Sequence, residues 1–270
     1  MNRIIAALVL AGLMLVAAGA QAQFDQSHAA FTAILKKHVV LIEGGKTSHV
    51  RYGDLLKERS QLKAYLDSLT RVTETEFKGW TKPQQLAFLI NAYNGWTLEL
   101  ILTRYPDLKS IRDFGYLPFN NIWKKKWFMF LGKDYFLDGI EHEMIRAPGV
   151  YDDPRIHFAV NCASIGCPML REEAYVAERI DQQLDEQATR FLSDRSRNRV
   201  NKDGVIEASK IFDWYKGDFN KGLNGIKSSE EFFGRYAAQL TDNPEHQKLV
   251  REGKASIKYL DYDWTLNLAR

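Results

Sequence analysis

The chain has 270 residues, of which 45% are hydrophobic and 12% aromatic, and a formal net charge of +3 at pH 7. This length fits one large domain or two small ones, and the apolar content is sufficient for a buried core. A small charge spread over many acidic and basic side chains leaves no electrostatic footprint for nucleic acid, so we expect no nucleic-acid partner.

The N-terminus has the three-part layout of a secretory signal peptide over residues 1–22. It begins with a cation at Arg3, continues with an apolar stretch over residues 4–18 and ends in Ala20-Gln21-Ala22. The apolar stretch is shorter than the ~20 residues that span a bilayer. We therefore expect cleavage, a periplasmic or secreted protein, and no transmembrane segment after signal removal.

The remainder, residues 23–270, lacks internal repeats and Pro/Gly/Ser-rich linkers, which favours a single globular domain. Apolar residues at helical spacing predict helices over residues 27–39 and 52–69. Pro83 is suited to the first turn of a helix and Pro106 to its end, so we predict a long helix over residues 83–105.

Aromatic and glycine-containing segments follow the long helix. Residues 127–131 and 134–137 flank Gly132-Lys133, which predicts a hairpin. The basic run Lys124-Lys125-Lys126 precedes it, and we interpret this run as a solvated loop rather than a contact for an anionic surface.

The middle of the chain carries the polar residues of most interest. Asp138 is a good N-cap for a short helix that carries Glu141 and His142. The apolar run over residues 155–160 predicts a buried strand that leads into two cysteines.

The C-terminal part predicts further short elements. These are a helix over residues 176–192, a hairpin around Asp203-Gly204, helices near residues 211–219 and 229–240, and a last strand over residues 256–261. Helices outnumber strands and the strands come in hairpins, so the predicted class is α+β, with a small, mostly antiparallel sheet.

The two cysteines, Cys162 and Cys167, have three possible roles. The first is a disulfide, because two cysteines in an oxidising compartment commonly pair. Five extended steps would separate their Cα atoms by roughly 16 Å, whereas a disulfide tolerates only ~4.4–6.8 Å. The segment would therefore have to turn sharply, which Gly166 permits.

The second role is that of a nucleophile. Cys162 follows the predicted strand, His142 could act as its base, and Glu141 could orient the imidazole. Asn91 and Asn94 on the long helix could supply an orienting amide or an oxyanion donor.

Cys167 offers a different assignment of the nucleophile. If Pro168 opened a helical turn, the helix dipole would lower the pKa of Cys167, and Cys162 would be the resolving or structural partner.

The third role is a zinc site, because His157, Cys162 and Cys167 recur at regular spacing and His142 could complete the ligands. We expect no metal and no cofactor.

Other polar and aromatic residues allow both a binding and a structural interpretation. His157 lies in the predicted apolar strand, which favours a core histidine, although His157, Asn161 and Ser164 are also candidates for binding. Several aromatic residues could line a groove for sugar or peptide chains, but core packing is the more common role. They are Phe212, Trp214, Tyr215, Tyr259, Tyr262 and Trp264.

Five sequence motifs carry a resemblance to a known family. They are Leu86-Ala-Phe-Leu-Ile-Asn-Ala-Tyr-Asn94, Ile140-Glu-His142, Ile156-His-Phe-Ala-Val-Asn-Cys-Ala-Ser-Ile-Gly-Cys-Pro168, Ile211-Phe-Asp-Trp-Tyr215 and Tyr259-Leu-Asp-Tyr-Asp-Trp264. In these motifs and their order the chain resembles the DUF547 family, from about Leu86 to the C-terminus, with a family-like core at about residues 83–200. The resemblance implies an exported bacterial protein and supplies no reaction.

The residues therefore suggest two functions. The first is a thiol-dependent acyl-transfer enzyme, similar in its parts to cysteine peptidases, amidases and transglutaminases, with a peptide, protein or cell-envelope substrate. The second is a non-catalytic envelope protein that binds a peptide or protein partner and uses Cys162 and Cys167 structurally.

Overall fold

The computed structural model describes residues 23–115, 121–221 and 225–269. The predicted signal peptide, residues 1–22, lies outside the described residues. Within the described ranges, no helix is both long enough and apolar enough to cross a membrane.

Helices make up most of the regular structure. The α-helices of the described ranges are α1 (Ala29–His38), α2 (Tyr52–Lys57), α3 (Arg59–Thr70), α4 (Glu74–Gly79), α5 (Lys82–Leu102), α6 (Ile180–Ser193), α7 (Ile211–Trp214), α8 (Lys216–Phe219), α9 (Ser229–Arg235), α10 (Ala237–Leu240) and α11 (Pro244–Arg251). Short 3-10 helices occupy Glu43–Gly45, Ile111–Phe114, Ile122–Lys124, Pro154–Phe158 and Ala177–Arg179, and a π-helix occupies Gly139–Ile145. The predicted helices are present, although four of them are split into two.

The strands are short and form small sheets. They are β1 (Val39–Ile42), β2 (Thr47–Val50), β3 (Phe128–Phe130), β4 (Lys133–Tyr135), β5 (Arg199–Val200), β6 (Ile206–Ala208) and β7 (Ile257–Tyr259). The pairs β1–β2, β3–β4 and β5–β6 are antiparallel, and β7 adds to β6 in parallel. The predicted α+β class with mostly antiparallel sheets is confirmed.

Helix α5 is the central element of the fold. Its N-terminus is a capping box, in which the Thr81 hydroxyl accepts from the backbone N–H of Gln84 and the Gln84 side chain accepts from the N–H of Thr81 at 3.0 Å. Pro83 occupies the first turn, as predicted. The helix is buried from Gln85 to Leu102 and contacts both α3 and Gly139–Ile145, so residues on it have fixed positions.

Two buried hydrophobic clusters stabilise the chain. The first surrounds α5, and the second contains the rings of Phe158, Phe191, Phe212 and Phe232. Ile156 belongs to the first cluster, although it lies only two residues from Phe158. Each fully buried Phe contributes about 1.5–3 kcal/mol relative to an exposed side chain. The short segment that carries both residues is therefore held from two sides.

The strand predicted over residues 155–160 is wrong, because this segment forms the 3-10 helix Pro154–Phe158. Asp153 caps that helix by accepting a hydrogen bond from the backbone N–H of Arg155 at 2.9 Å. Pro154 has the fixed φ of a first helical residue. A short apolar run does not by itself distinguish a strand from a buried helical turn.

Candidate functional site

A cavity of about 430 Å³ lies where α5, the Gly139–Ile145 helix, the two cysteines, α7 and the last described residues meet. The cavity is lined by five of the polar and thiol residues that we selected from the sequence: Glu141, His142, His157, Cys162 and Cys167. Side chains far apart in the sequence thus share one concave surface.

The two cysteines lie at the ends of a tight turn, residues 162–167, which we call the cysteine turn. Its backbone is bonded to the C-terminal part of the chain, where Ile165 N–H donates to Thr265 O and Gly166 N–H donates to Asp263 O, both at 2.8 Å. A Cβ atom at Gly166 would lie 2.9 Å from backbone atoms of Asp263. Glycine is required here because the two backbones approach so closely.

The Cys162 thiol is surrounded by hydrogen-bonding groups. Its Sγ lies 3.3 Å from the Ser164 hydroxyl and 3.3 Å from the Tyr262 hydroxyl. The Cys167 thiol makes the largest contribution to lowering the pKa of Cys162, and the two hydroxyls add to it. Together they lower this pKa to about 7, although burial opposes the change. An ordinary thiol has a pKa of about 8.5. The thiolate of Cys162 is therefore favoured relative to that of an ordinary thiol.

Cys167 has the opposite character. It is 5% exposed, and burial raises its pKa well above the usual range. Both cysteines are free thiols, and Cys167 Sγ accepts a hydrogen bond from the Cys162 N–H at 3.0 Å. The helical turn considered at Pro168 is wrong, because residues 168–170 have no helical structure. Without a helix dipole, the expected lowering of the Cys167 pKa is absent.

Asn94 and Asn161 connect α5 to the cysteine turn. The Asn94 side chain donates to Ala159 O at 2.9 Å and accepts from Asn161 N–H at 2.8 Å. The Asn161 side chain in turn donates to Pro168 O at 2.7 Å and accepts from Ala163 N–H at 2.9 Å. These amides satisfy buried backbone groups and fix the path of the chain around Cys162.

Asn91 makes a similar contact farther along the chain. Its side chain donates to Tyr175 O at 2.7 Å and accepts from Tyr175 N–H at 2.9 Å. These contacts position the segment before α6 and do not bring Asn91 to Cys162.

His157 forms a buried pair with Asp218 of α8. Its Nε2 lies 2.8 Å from Asp218 Oδ2, which also accepts from Arg146 Nε at 2.6 Å. Burial opposes ionisation of Asp218, but hydrogen bonds from His157, Arg146 and Lys221 hold its pKa well below the usual range. The carboxylate therefore accepts the Nε2 hydrogen of His157. The Nδ1 atom of His157 is buried and has no hydrogen-bond partner among the described residues.

Tyr215 covers the face of the His157 ring. The ring centroids are 3.8 Å apart at an angle of 19°, and the Tyr215 hydroxyl donates to Glu141 Oε1 at 2.9 Å. Burial lowers the pKa of His157, although Asp218 and Glu141 oppose this effect. His157 is therefore a neutral imidazole at neutral pH, with the Nδ1 lone pair unused.

His142 has a different environment. Its Nδ1 lies 2.7 Å from the Arg146 guanidinium and 3.8 Å from Glu141 Oε1, and its side chain is 37% exposed. A guanidinium can only donate, so Nδ1 accepts and the hydrogen of neutral His142 is on Nε2. Glu141, which we expected to orient His142, lies within ion-pair distance of that ring and accepts its hydrogen bond from Tyr215.

Aromatic side chains form one wall of the cavity. The Tyr262 ring lies 4.9 Å from the Trp214 ring and 4.5 Å from the Trp264 ring, and Trp214 is 45% exposed. Arg112 lies over Trp264, 4.4 Å from the ring centroid. Core packing is confirmed for Phe212 but is wrong for Trp214, because the cavity keeps its ring accessible.

The zinc alternative has no support in the geometry. Over residues 23–115, 121–221 and 225–269, no group of three or more His, Cys, Asp and Glu side chains is placed to hold a metal ion. The Nε2 atom of His157 is occupied by Asp218, and Cys167 contacts Cys162.

Comparison with protein-family models gives a match over residues 77–192, under half of the chain. The matched family is DUF547. Its description is a protein of unknown function, so the predicted resemblance is confirmed without an assigned reaction. No curated protein and no solved structure matches the chain.

The DUF547 match covers only one side of the site. It contains α5, the Gly139–Ile145 helix and both cysteines, whereas Tyr215, Asp218 and Tyr262 lie beyond its end. Tyr215 and Tyr262 belong to motifs that we used for the resemblance, but Asp218 and Arg146 were not predicted as site residues. The only sequence signal for Asp218 is its proximity to a motif, since it lies three residues after the one that ends at Tyr215.

Proposed function

We propose that the protein is a thiol-dependent acyl-transfer enzyme in which Cys162 is the nucleophile. The observation that supports this proposal is the position of the Cys162 thiol in the cavity wall, 3.3 Å from two hydroxyl groups that stabilise its thiolate. The thiolate is the attacking form of cysteine. The lowered pKa of Cys162 favours that form.

The reaction has two halves. In the first, the Cys162 thiolate attacks the carbonyl carbon of an ester, amide or thioester and forms a C–S bond. The bond to the leaving oxygen, nitrogen or sulfur breaks, and the leaving atom takes up a proton. In the second, water or an amine attacks the resulting thioester, loses a proton, and the C–S bond breaks to restore the thiolate.

We assign the proton transfers to His157. Its Nδ1 accepts the proton when the Cys162 thiol ionises, returns it to the leaving atom, and later accepts one from water or the amine. The Asp218 carboxylate, 2.8 Å from Nε2, holds the required tautomer and stabilises the imidazolium. The lowered pKa of His157 keeps the resting ring neutral and able to act as a base.

His142, the base expected from the sequence, receives another role in this proposal. The Arg146 guanidinium occupies Nδ1, 2.7 Å away, so that atom is not free to contact the thiol. The Nε2–H of His142 is then a donor for the carbonyl oxygen of the substrate, where negative charge develops during attack.

The proposed substrate is a peptide, a protein or a cell-envelope component, met in the periplasm or outside the cell. The signal-like residues 1–22 support export. Trp214, Tyr262 and Trp264 at the cavity support an acyl donor with a flat or apolar group beside the reacting carbonyl.

The test uses the reduced protein and p-nitrophenyl acetate, with release of p-nitrophenol and acetylation of each cysteine measured by peptide mass spectrometry. We expect acetyl-Cys162 in the wild type and none at this position in Cys162→Ser. His157→Gln should lower turnover by roughly 10²–10⁴-fold. His142→Gln, which keeps a side-chain N–H donor for the carbonyl oxygen, should cost less.

Two results would contradict the proposal. If Cys162→Ser retained turnover, Cys162 would not be the nucleophile. If the wild type formed no acetyl-Cys162, the non-catalytic binding function would be favoured. A larger loss in His142→Gln than in His157→Gln would overturn the assignment of the base. Circular dichroism of each variant verifies that the fold is intact.

A further inference from the structure

We infer that Cys162 and Cys167 are a dithiol redox pair that reduces disulfides of low-molecular-weight thiols and peptides and becomes a Cys162–Cys167 disulfide. The inference rests on the proposed nucleophilic role of Cys162 and adds Cys167 as the resolving thiol. It gives the same cavity a second activity, thiol–disulfide exchange.

The sulfur of Cys167 already lies against Cys162. Cys167 Sγ accepts from the backbone N–H of Cys162 at 3.0 Å. Both cysteines are free thiols. Because both residues belong to one tight turn, an S–S bond of about 2.05 Å brings no separate segments of the chain together.

The cysteine turn holds this contact in place. Its backbone is bonded to the C-terminal part of the chain at Ile165, Gly166 and Ala163, with N···O distances of 2.8 to 3.0 Å. The Arg197 guanidinium donates to the carbonyl oxygen of Cys167. A mixed disulfide on Cys162 would therefore meet Cys167 at a high effective concentration.

The two thiols differ in the way that ordered exchange requires. Cys162 is half-buried, faces the cavity and has a pKa lowered to about 7, so it attacks first. Cys167 is buried with a raised pKa, so it stays protonated until the mixed disulfide has formed. A thiolate attacks and a thiol does not, so this difference fixes the order of the steps.

The exchange balances with the disulfide as the oxidant. The Cys162 thiolate attacks one sulfur of R–S–S–R, which forms a Cys162–S–S–R bond and releases R–S⁻. Cys167 gives its proton to the released thiolate, attacks the Cys162 sulfur and releases the second R–S⁻. The second R–S⁻ takes up the proton that Cys162 lost when it ionised. The protein thus loses two electrons and two thiol protons, and two R–SH molecules carry them away. The oxidised protein has no Cys162 thiolate, so acyl transfer stops until a thiol reductant restores it.

The test treats the reduced full chain with oxidised glutathione at pH 7 and follows both cysteines by mass spectrometry. The wild type should lose two hydrogens, form the Cys162–Cys167 disulfide and release two reduced glutathione molecules per protein. Cys167→Ser should stop at one glutathione on Cys162. Cys162→Ser, the matched variant, should form an adduct at least roughly tenfold more slowly, because the remaining thiol is protonated.

A stable glutathione adduct on wild-type Cys162, with Cys167 still reduced, would overturn the redox pair. Equal adduct formation at Cys167 in Cys162→Ser would overturn the order of attack. Acetylation of the reduced protein by p-nitrophenyl acetate separates the two proposals. A protein that is acetylated at Cys162 but forms no disulfide fails only this inference. A protein that forms the disulfide but is not acetylated fails only the acyl-transfer proposal.

Discussion

Asp218 accepts the Nε2 hydrogen of His157 at 2.8 Å, although 61 positions separate the two residues in the chain. This contact joins the segment that matches DUF547 to the part of the chain that follows it. The Nδ1 atom of His157 is buried and has no hydrogen-bond partner among the described residues, and His157 and Cys162 line the same cavity. These positions support the proposed roles of His157 as the base and Cys162 as the nucleophile.

Asp218→Asn should lower turnover of p-nitrophenyl acetate by roughly 10²-fold or more, because an amide does not hold the required tautomer of His157. The loss of the carboxylate also disfavours the imidazolium, so the acid limb of the pH–rate profile should move to lower pH. Lys221→Met is the control, since Lys221 contacts the other oxygen of Asp218 at 3.0 Å. An unchanged rate and profile in Asp218→Asn would show that Asp218 does not act through His157.

Tyr262→Phe should raise the pKa of Cys162, because it removes a hydroxyl 3.3 Å from the thiolate. A hydrogen bond of about 1 kcal/mol corresponds to alkylation by iodoacetamide that is roughly fivefold slower at pH 6. At pH 9 both proteins are thiolate and the rates should converge. Tyr259→Phe makes the same change away from the cysteines and should have no effect. Equal slowing at pH 6 and pH 9 would exclude a pKa effect.

Asn94→Ala should lower the free energy of unfolding by about 2–4 kcal/mol, because it leaves the buried Ala159 C=O and Asn161 N–H without their partner. Urea denaturation measures the loss. Asn220→Ala, at an exposed position, is the control. A loss below about 0.5 kcal/mol for Asn94→Ala, the range of surface substitutions, would mean that the amide does not hold the cysteine turn.

Glu173 should stabilise the fold above pH 5 and lose this effect as the pH falls toward 2. Burial opposes its ionisation, but hydrogen bonds from Arg179, Arg171 and Gln183 lower its pKa to about 2. The unfolded value is about 4.3, so the folded state favours the charged form. Glu173→Gln should cost about 1 kcal/mol at pH 7, allowing for solvent screening, and nearly nothing at pH 2. Equal costs at both pH values would contradict this linkage.

Much of the fold follows from local sequence signals. Thr81, Pro83 and apolar periodicity predict α5, and Gly132 marks the β3–β4 hairpin. Other signals were present but not used. Thr73 caps α4, and Asn243 with Pro244 begins α11, although neither helix was predicted. The β1–β2 hairpin was also not predicted.

The site was predicted only in part, because its decisive contacts are long-range. The sequence grouped Cys162, Cys167 and His142 in one site, and all three line the cavity, whereas it favoured a core role for His157, which lines the cavity as well. It did not reveal Asp218, whose partner depends on how α8 packs. The local apolar pattern also favoured a strand at His157, where Asp153 and Pro154 start a 3-10 helix.

The pH dependence of iodoacetamide alkylation at Cys162 tests the central claim most directly. The reduced wild-type protein is alkylated between pH 5 and pH 10, and the rate at each cysteine is obtained by mass spectrometry. We predict that modification occurs at Cys162 with a midpoint at about pH 7, while Cys167 stays largely unmodified. A midpoint at or above about 8.5, the value of an ordinary thiol, or equal labelling of both cysteines, would contradict the assignment of Cys162 as an activated nucleophile.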